Sequence, residues 1–253
     1  MKYLLYCIFE KQASAPTGVY PGVEGGSVYV IEKSGLAAAV SPIIHPEDLP
    51  NIPALVAYHG IIEFYFRSCT IIPLRFGTVF YEVAEIERLL EKRSLHYRSL
   101  IKELDGRVEM SIKVIMEARE SLSETRFRPF RLPASEGNDP GKAFLERRRA
   151  YYLSECGVTE EIEKVVRHYR SSLEGLYAKF KGETSRPKAD ADNGRTPILL
   201  SLYFLVPKES LVSFETVFEE LKAREATKLL LSGPWPPFNF VLPNDLPIHD
   251  AGA

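Results

Sequence analysis

Two side chains in the first half of the chain are candidates for acid-base chemistry. His59 lies in the apolar stretch LVAYHGIIEFYF and Arg75 in the apolar stretch TIIPLRFGTVF, so the two could face one another. A general base needs an orienting partner and a perturbed environment, and no Ser/His/Asp or Cys/His arrangement surrounds this pair. We therefore interpret His59 as a hydrogen-bonded histidine at the edge of the core and Arg75 as an ion-pair anchor. No catalytic residues are predicted.

The residue types that bind metals and phosphates do not occur at the spacing those sites need. The histidines and cysteines show no finger-like or i, i+4 ligand spacing; they are His45, His59, His96, His168 and His249, and Cys7, Cys69 and Cys156. The glycine-rich segment Gly22–Gly26 lacks the GxGxxG spacing and precedes a strand, whereas a phosphate loop opens a helix. We predict no metal and no cofactor, and we interpret the cysteines as reduced thiols of a cytosolic protein.

Charge and hydropathy limit the classes of partner. The chain has 253 residues, with 32 basic against 34 acidic side chains, so no strong field favours nucleic acid as the principal partner. No apolar run approaches the roughly 20 residues of a membrane span, and YLLYCIF at the start is too short for a signal peptide. The basic run Arg147–Arg149 could bind an acidic partner or nucleic acid, but the nearby Glu146 and Glu155 favour a solvated helix face.

Residues 1–106 are predicted to form an N-terminal α+β domain. Its predicted strands are Tyr3–Phe9, Ser27–Glu32, Leu36–Pro42 and Thr70–Phe76. The short Lys33-Ser34-Gly35 connection predicts an antiparallel hairpin. A helix through Ala54–Phe66 is predicted to place Leu55, His59, Ile62 and Phe66 on one stripe. A single amphipathic helix is predicted over Glu82–Leu104.

Residues 107–253 are predicted to form a C-terminal domain, a modified ferredoxin-like α/β sandwich. Its predicted strands are Val108–Met116, Ile198–Val206 and Thr227–Leu231. A long helical region is predicted over Lys142–Lys181, with heptad-spaced apolar residues from Ile162 to Phe180. A second helix is predicted through Arg224, capped by Ser210. The polar tract Gly182–Arg195 is predicted to be a mobile loop. The fold class is therefore α+β with two domains, and no internal repeat is recognisable.

The segment Gly233–Phe240, GPWPPFNF, contains the only tryptophan and three of the 18 prolines. Proline fixes φ and pushes the preceding residue toward extended conformations, so Trp235, Phe238 and Phe240 are held in set directions. The cluster could be packing residues that seal the core where the last strand ends or form the joint between the two predicted domains, or it could be an exposed anchor for an apolar partner. Trp235, Phe238 and Phe240 are the predicted partner-binding residues, and both alternatives stay open.

Two phrases of the chain resemble the gas vesicle accessory proteins F and L. PLRFGT at residues 73–78 and GPWPPF at residues 233–238 occur in the order typical of that family. The resemblance extends to the opening strand YLLYCIF and to the histidine-bearing helix before PLRFGT. The chain departs at Phe238, where the family more often has tyrosine. It lacks that hydroxyl, which argues against any chemistry assigned to it.

The resemblance implies a minor, non-enzymatic component of gas vesicle formation. Such a protein would bind the hydrophobic shell protein, assist nucleation and assembly, and limit shell-protein aggregation. The implied partners are the major shell protein and other gas vesicle accessory proteins, and the implied location is the cytoplasm, in association with the vesicle. One alternative is a small-molecule enzyme that uses a cleft between the two predicted domains. Another is a structural wall component that stays bound to washed vesicles.

Overall fold

The predicted partner-binding residues Trp235, Phe238 and Phe240 lie in the described part of the chain. A computed structural model describes residues 2–11, 21–46, 49, 51–116, 160–185, 198–225 and 227–241. These residues form an α+β fold with two sheets, which confirms the predicted fold class. No helix among them is long and apolar enough to cross a bilayer.

The first sheet is built around the N-terminal strand. Its strands are β1 (Lys2–Glu10), β2 (Tyr29–Lys33), β3 (Leu36–Ile43), β4 (Ile71–Pro73) and β5 (Val79–Phe80). Their order is β2-β3-β1-β4, with β5 also paired to β1, and every pair is antiparallel. Residues Leu4–Phe9 of β1 are all buried. The predicted β2-β3 hairpin is confirmed, and its turn has positive φ at Ser34 and Gly35, as a tight hairpin requires.

Helix α1 (Ile52–Ser68) packs on β1. Asn51 caps it, because its Oδ1 accepts a hydrogen bond from the Ala54 backbone N–H at 2.9 Å. Two residues of the predicted stripe, Leu55 and His59, are exposed. The buried residues are Ala54, Tyr58, Ile61, Ile62 and Tyr65. Since α1 is apolar on most of its circumference, its periodicity did not identify the face that packs.

The single helix predicted over Glu82–Leu104 is wrong, because the structure divides it at Arg93. Helix α2 (Val83–Lys92) ends there and α3 (Ser94–Leu104) begins, with Arg93 at φ -110° and ψ 12°. The buried residues are Ile86 and Leu90 on α2, and Tyr97, Ile101 and Leu104 on α3. They keep helical spacing across the break, and neither proline nor glycine marks it. The sequence pattern is therefore that of one continuous helix.

The second sheet has ferredoxin-like connectivity. Its strands are β6 (Arg107–Met116), β7 (Lys179–Ser185), β8 (Ile198–Pro207) and β9 (Lys228–Trp235). The described part of helix α4 covers 160–172, and α5 (Leu211–Arg224) follows β8. The element order is β-α-β-β-α-β, and the strand order is β7-β8-β6-β9. The main strands of the first sheet follow the same second-third-first-fourth order, a repeat of topology that the sequence did not reveal.

Three predictions in the second half need correction. The helix predicted to continue to Lys181 is wrong beyond residue 172, where α4 ends. The mobile loop predicted over Gly182–Arg195 is wrong over Gly182–Ser185, because Lys179–Ser185 form β7. Gly175 follows the end of α4 and has φ +82°. A glycine in this left-handed conformation commonly terminates a helix. Ser210 is the last residue of a 3-10 turn and forms no side-chain cap on α5. Residues 142–159 of the predicted helix and 186–195 of the predicted loop lie outside the described residues.

The chain separates into two compact units that are discontinuous in sequence. Unit 1 comprises Met1–Met110, Leu205–Lys208 and Gly233–Ala253, and unit 2 comprises Ser111–Phe204 and Glu209–Ser232. Trp235, Phe238 and Phe240 thus belong to the unit that contains the first sheet. The division into domains 1–106 and 107–253 stays a prediction.

Candidate partner-binding site

The predicted aromatic site divides into one exposed ring and two that point inward. Trp235, the last residue of β9, is 51% exposed. Phe240 is 6% exposed and belongs to the core. Phe238 is partly buried and packs against the core cluster of the first sheet. Of the three rings, only Trp235 is exposed, and it offers the largest apolar area to a partner.

Phe238 packs against the histidine that the sequence singled out. The ring centroids of Phe238 and His59 are 5.7 Å apart at an interplanar angle of 64°. His59 is exposed on α1 and also contacts the Tyr58 ring edge-on. Among the described residues its contacts are aromatic, and none of them forms the predicted hydrogen bond. Among the described residues, the exposed Arg75 forms no hydrogen bond or ion pair with His59, so the structure does not join this pair.

A buried carboxylate holds the segment that follows Trp235. Glu109 on β6 is 4% exposed, and its carboxylate accepts two hydrogen bonds from Asn239. One comes from the Asn239 backbone N–H at 2.8 Å and the other from Nδ2 at 2.6 Å. A carboxylate removed from water is costly unless hydrogen bonds compensate it, and bonds to a charged acceptor are among the stronger ones. This long-range contact was not predicted from the sequence, and no local pattern marks it.

Gly233 sets the path of the chain just before Trp235. Its φ is +124°, a conformation that side chains rarely adopt. A Cβ built there would lie 2.7 Å from the Glu109 carbonyl oxygen and 2.8 Å from the Met110 Sδ. Both distances are too short for a side chain. The first residue of GPWPPFNF therefore permits the close approach of two backbone segments inside unit 1.

The PLRFGT segment is a loop that leaves and rejoins the edge of β1. The Leu74 backbone N–H donates to the Tyr6 carbonyl at 2.9 Å, and the Leu5 N–H donates to the Thr78 carbonyl at 2.9 Å. Between these anchors, Gly77 adopts φ +89°. The Thr78 hydroxyl and N–H both donate to the Arg75 carbonyl, at 2.7 and 3.2 Å. The strand predicted over Thr70–Phe76 is therefore shorter and covers only Ile71–Pro73. The PLRFGT residues after Pro73 form the loop that connects β4 to β5.

Tyr58 connects this loop to the core. Its hydroxyl donates toward the carbonyls of Leu74 and Leu5, at 2.9 and 3.1 Å. Its ring packs at 5.0 Å from the Tyr6 ring and 5.1 Å from the Phe76 ring. Burial raises the pKa of the Tyr58 hydroxyl well above its ordinary value, so it stays a protonated donor.

Replacing Tyr58 with phenylalanine tests this interpretation of PLRFGT. Tyr58→Phe keeps the ring and leaves buried carbonyls without their donor, which costs about 1–3 kcal/mol of unfolding free energy. A fall in melting temperature of roughly 3–10 °C is expected for a chain of this size. Tyr81→Phe is the matched control, because Tyr81 is 49% exposed and a surface change of this kind has little effect. Equal melting temperatures for both variants would contradict the assigned role.

In the described part of unit 1, few groups remain for chemistry. A cavity of about 10 Å³, which Phe66, Cys69, Leu104, Lys208 and Pro237 help to line, has room for about one water molecule. Burial raises the pKa of the Cys69 thiol to about 11 and that of Cys7 well above its ordinary value, so both stay protonated and weakly nucleophilic near neutral pH. No group of three or more His, Cys, Asp or Glu side chains among the described residues could hold a metal ion.

Comparison with known proteins gives concordant results. The family described as gas vesicle synthesis protein GvpL/GvpF matches residues 2–242. Gas vesicle protein F of Streptomyces sp. (strain CB03234) is 24% identical over 221 residues, which cover 85% of this chain and 87% of that protein. Gas vesicle protein L1 of Halobacterium salinarum is 24% identical over 260 residues, with 93% and 89% covered.

Solved structures share the fold. The crystal structure of gas vesicle protein GvpF from Microcystis aeruginosa superposes with a TM-score of 0.70 at 19% identity, and the match covers 95% of this chain and 99% of that one. GvpF from Anabaena sp. PCC7120 gives a TM-score of 0.70 at 21% identity, with 95% and 96% covered. The α+β architecture described above is thus shared along nearly the whole chain.

Proposed function

The chain belongs to the gas vesicle synthesis protein GvpL/GvpF family, and from this premise we propose that it binds the hydrophobic gas vesicle shell protein. In this proposal it assists nucleation and assembly of the vesicle by limiting aggregation of that protein. The physical need is plain, because a shell protein whose apolar face must line a gas space exposes that face before assembly. An accessory protein that covers the face and later releases it meets this need.

The observation that carries the proposal is the half-exposed Trp235 on a fixed support. Tryptophan dominates many binding hot spots, and a ring that is already ordered loses little conformational freedom on binding. Phe240 in the core and the Glu109–Asn239 contact order the chain immediately after the ring. An apolar partner would therefore meet a rigid anchor.

The proposed role is non-enzymatic, and the proposed place of action is the cytoplasm, in association with the growing vesicle. The contacts of His59 support it, since within the described ranges its ring packs on Phe238 and Tyr58 and not on a proton-transfer partner. The major shell protein is the proposed principal partner, with other gas vesicle accessory proteins as further partners. A contact centred on Trp235 alone would bury a small area, and small interfaces are typical of transient complexes.

The proposal is tested by diluting denatured shell protein into buffer with and without the purified chain. We expect light scattering to rise more slowly when the chain is present, and a pull-down to retain soluble shell protein. An unrelated soluble protein of similar size is the control for crowding. If the chain retains no shell protein at any practical concentration, with or without other vesicle proteins, the proposal fails. If it stays on washed mature vesicles at a fixed ratio to shell protein, it is a wall component.

A further inference from the structure

Both edges of the second sheet lack a neighbouring strand in the part of the chain that the structure describes. The strand order β7-β8-β6-β9 puts β7 at one edge and β9 at the other. A strand at an edge presents unpaired backbone N–H and C=O groups, which are a template for another extended segment. Within unit 2, this edge of β9 runs over Lys228–Ser232.

The two edges of this sheet differ in their protection. Strand β7 has the sequence KFKGETS, and its charges at Lys179, Lys181 and Glu183 are of the kind that prevents pairing with other chains. Strand β9 begins KLLLS, with Lys228 as its one charged residue. Leu230 in its middle is 59% exposed. An edge strand whose single charge lies at its first residue, with an exposed leucine in its middle, is the type that proteins normally avoid unless it has a partner.

Pro234 limits how far pairing along this edge can extend. Proline lacks the backbone donor and is confined within sheets to edge strands and strand ends. Its place near the end of β9 agrees with the edge position in the strand order. An added strand would therefore pair along Lys228–Ser232 and stop before Pro234.

We propose that the edge of β9 over Lys228–Ser232 binds an extended segment of the shell protein as an additional strand. This inference rests on the proposed function and names a contact that would act in addition to Trp235. Main-chain hydrogen bonds would provide most of the affinity, and apolar side chains of the segment would cover Leu230. The occupant is thus an uncharged, apolar, extended stretch, which is the chemistry expected of a protein whose face lines a gas space. Pairing would also cover a part of the shell protein that otherwise aggregates.

Leu230→Lys tests the edge, with Val212→Lys as a matched control. Both are exposed aliphatic residues of unit 2: Leu230 is 59% exposed and Val212 is 76% exposed. Val212 lies on helix α5 and not on the sheet edge. We expect both variants to keep the wild-type melting temperature, since surface substitutions have small effects. Retention of shell protein should fall roughly tenfold or more in Leu230→Lys, because pairing would bury an unpaired ammonium group. Val212→Lys should retain it like the wild type.

Amide hydrogen exchange on the wild-type chain provides a second measurement that needs no variant. The probes are synthetic peptides that tile the shell protein sequence, added to isotopically labelled full-length chain and followed by NMR. We expect alternate amides of Lys228–Ser232, those whose N–H points away from β6, to become protected with one of the peptides. The amides of β7 should not change. Side-chain docking alone would not produce this alternation.

The outcomes separate this inference from the function on which it rests. Equal retention by Leu230→Lys and wild type, or binding without protection in β9, overturns the edge contact and leaves the proposed function standing. No retention by wild type overturns the proposed function itself. Protection of β9 that rises with the chain's own concentration, with no peptide present, identifies a second copy as the occupant and also overturns the inference. If Leu230→Lys fails to fold, the exchange experiment decides.

Discussion

Trp235→Ala is expected to keep the melting temperature of the wild-type protein and to lose most of its retention of shell protein. Truncating a well-buried tryptophan costs about 3–5 kcal/mol, but half of this side chain is already in water, with 51% exposed. As a binding hot spot its loss would cost about 2 kcal/mol or more, which is a roughly 30-fold weaker complex. A thermal melt beside a pull-down measures both effects.

Tyr81→Ala is the matched control for this experiment. Tyr81 is an aromatic residue of the same unit with 49% exposure, and it lies outside the GPWPPFNF segment. We expect it to retain shell protein at the wild-type level. A large fall in melting temperature of Trp235→Ala would instead place the ring among the packing residues. Equal retention by both alanine variants would remove Trp235 from the contact.

Gly233→Ala is expected to cause the largest loss of stability. The new Cβ would lie under 3 Å from the Glu109 carbonyl oxygen and the Met110 Sδ, at a φ of +124°. Backbone strain of about 1–3 kcal/mol and overpacking of similar size add to roughly 2–6 kcal/mol of unfolding free energy. This lowers the melting temperature by roughly 5–20 °C in a chain of this size.

The same substitution at Gly60 should act in the opposite direction. Gly60 is exposed inside helix α1, and nothing lies within 4 Å of a Cβ built there. Alanine is the better helix former by about 0.5–1 kcal/mol, so Gly60→Ala should raise the melting temperature slightly. A Gly233→Ala protein that melts at or above the wild-type temperature would contradict the conclusion that Gly233 permits the close approach of the two backbone segments.

Local signals in the chain were sufficient for most elements of the fold. The alternation and β-favouring residues of β1, β3, β6 and β8 predicted strands that the structure confirms. The Lys33-Ser34-Gly35 connection predicted the hairpin, because its residues tolerate the positive φ that the turn needs. The PLRFGT and GPWPPF phrases identified the family, since their residue order is specific. These properties depend on residues that are adjacent in the chain, so the sequence alone was enough to predict them.

The predictions that failed depend on which surface an element meets. Helix α1 is apolar nearly all round, so only packing on β1 decides that Tyr58 is buried and His59 exposed. The break at Arg93 leaves the apolar spacing intact. Strand β7 carries the charges of an edge strand, a composition that a polar loop shares.

The sequence by itself determined the family and the α+β class, and its prolines predicted a rigid segment around Trp235. Only the tertiary structure decided that Trp235 faces solvent while Phe240 is buried, and that Asn239 bonds to Glu109. It also decided that β9 lies at an edge of its sheet. The physical reason is that the exposure of a side chain and the neighbours of a strand depend on contacts between distant parts of the chain. The prolines of this segment restrict only local dihedral angles, so they could not predict either property.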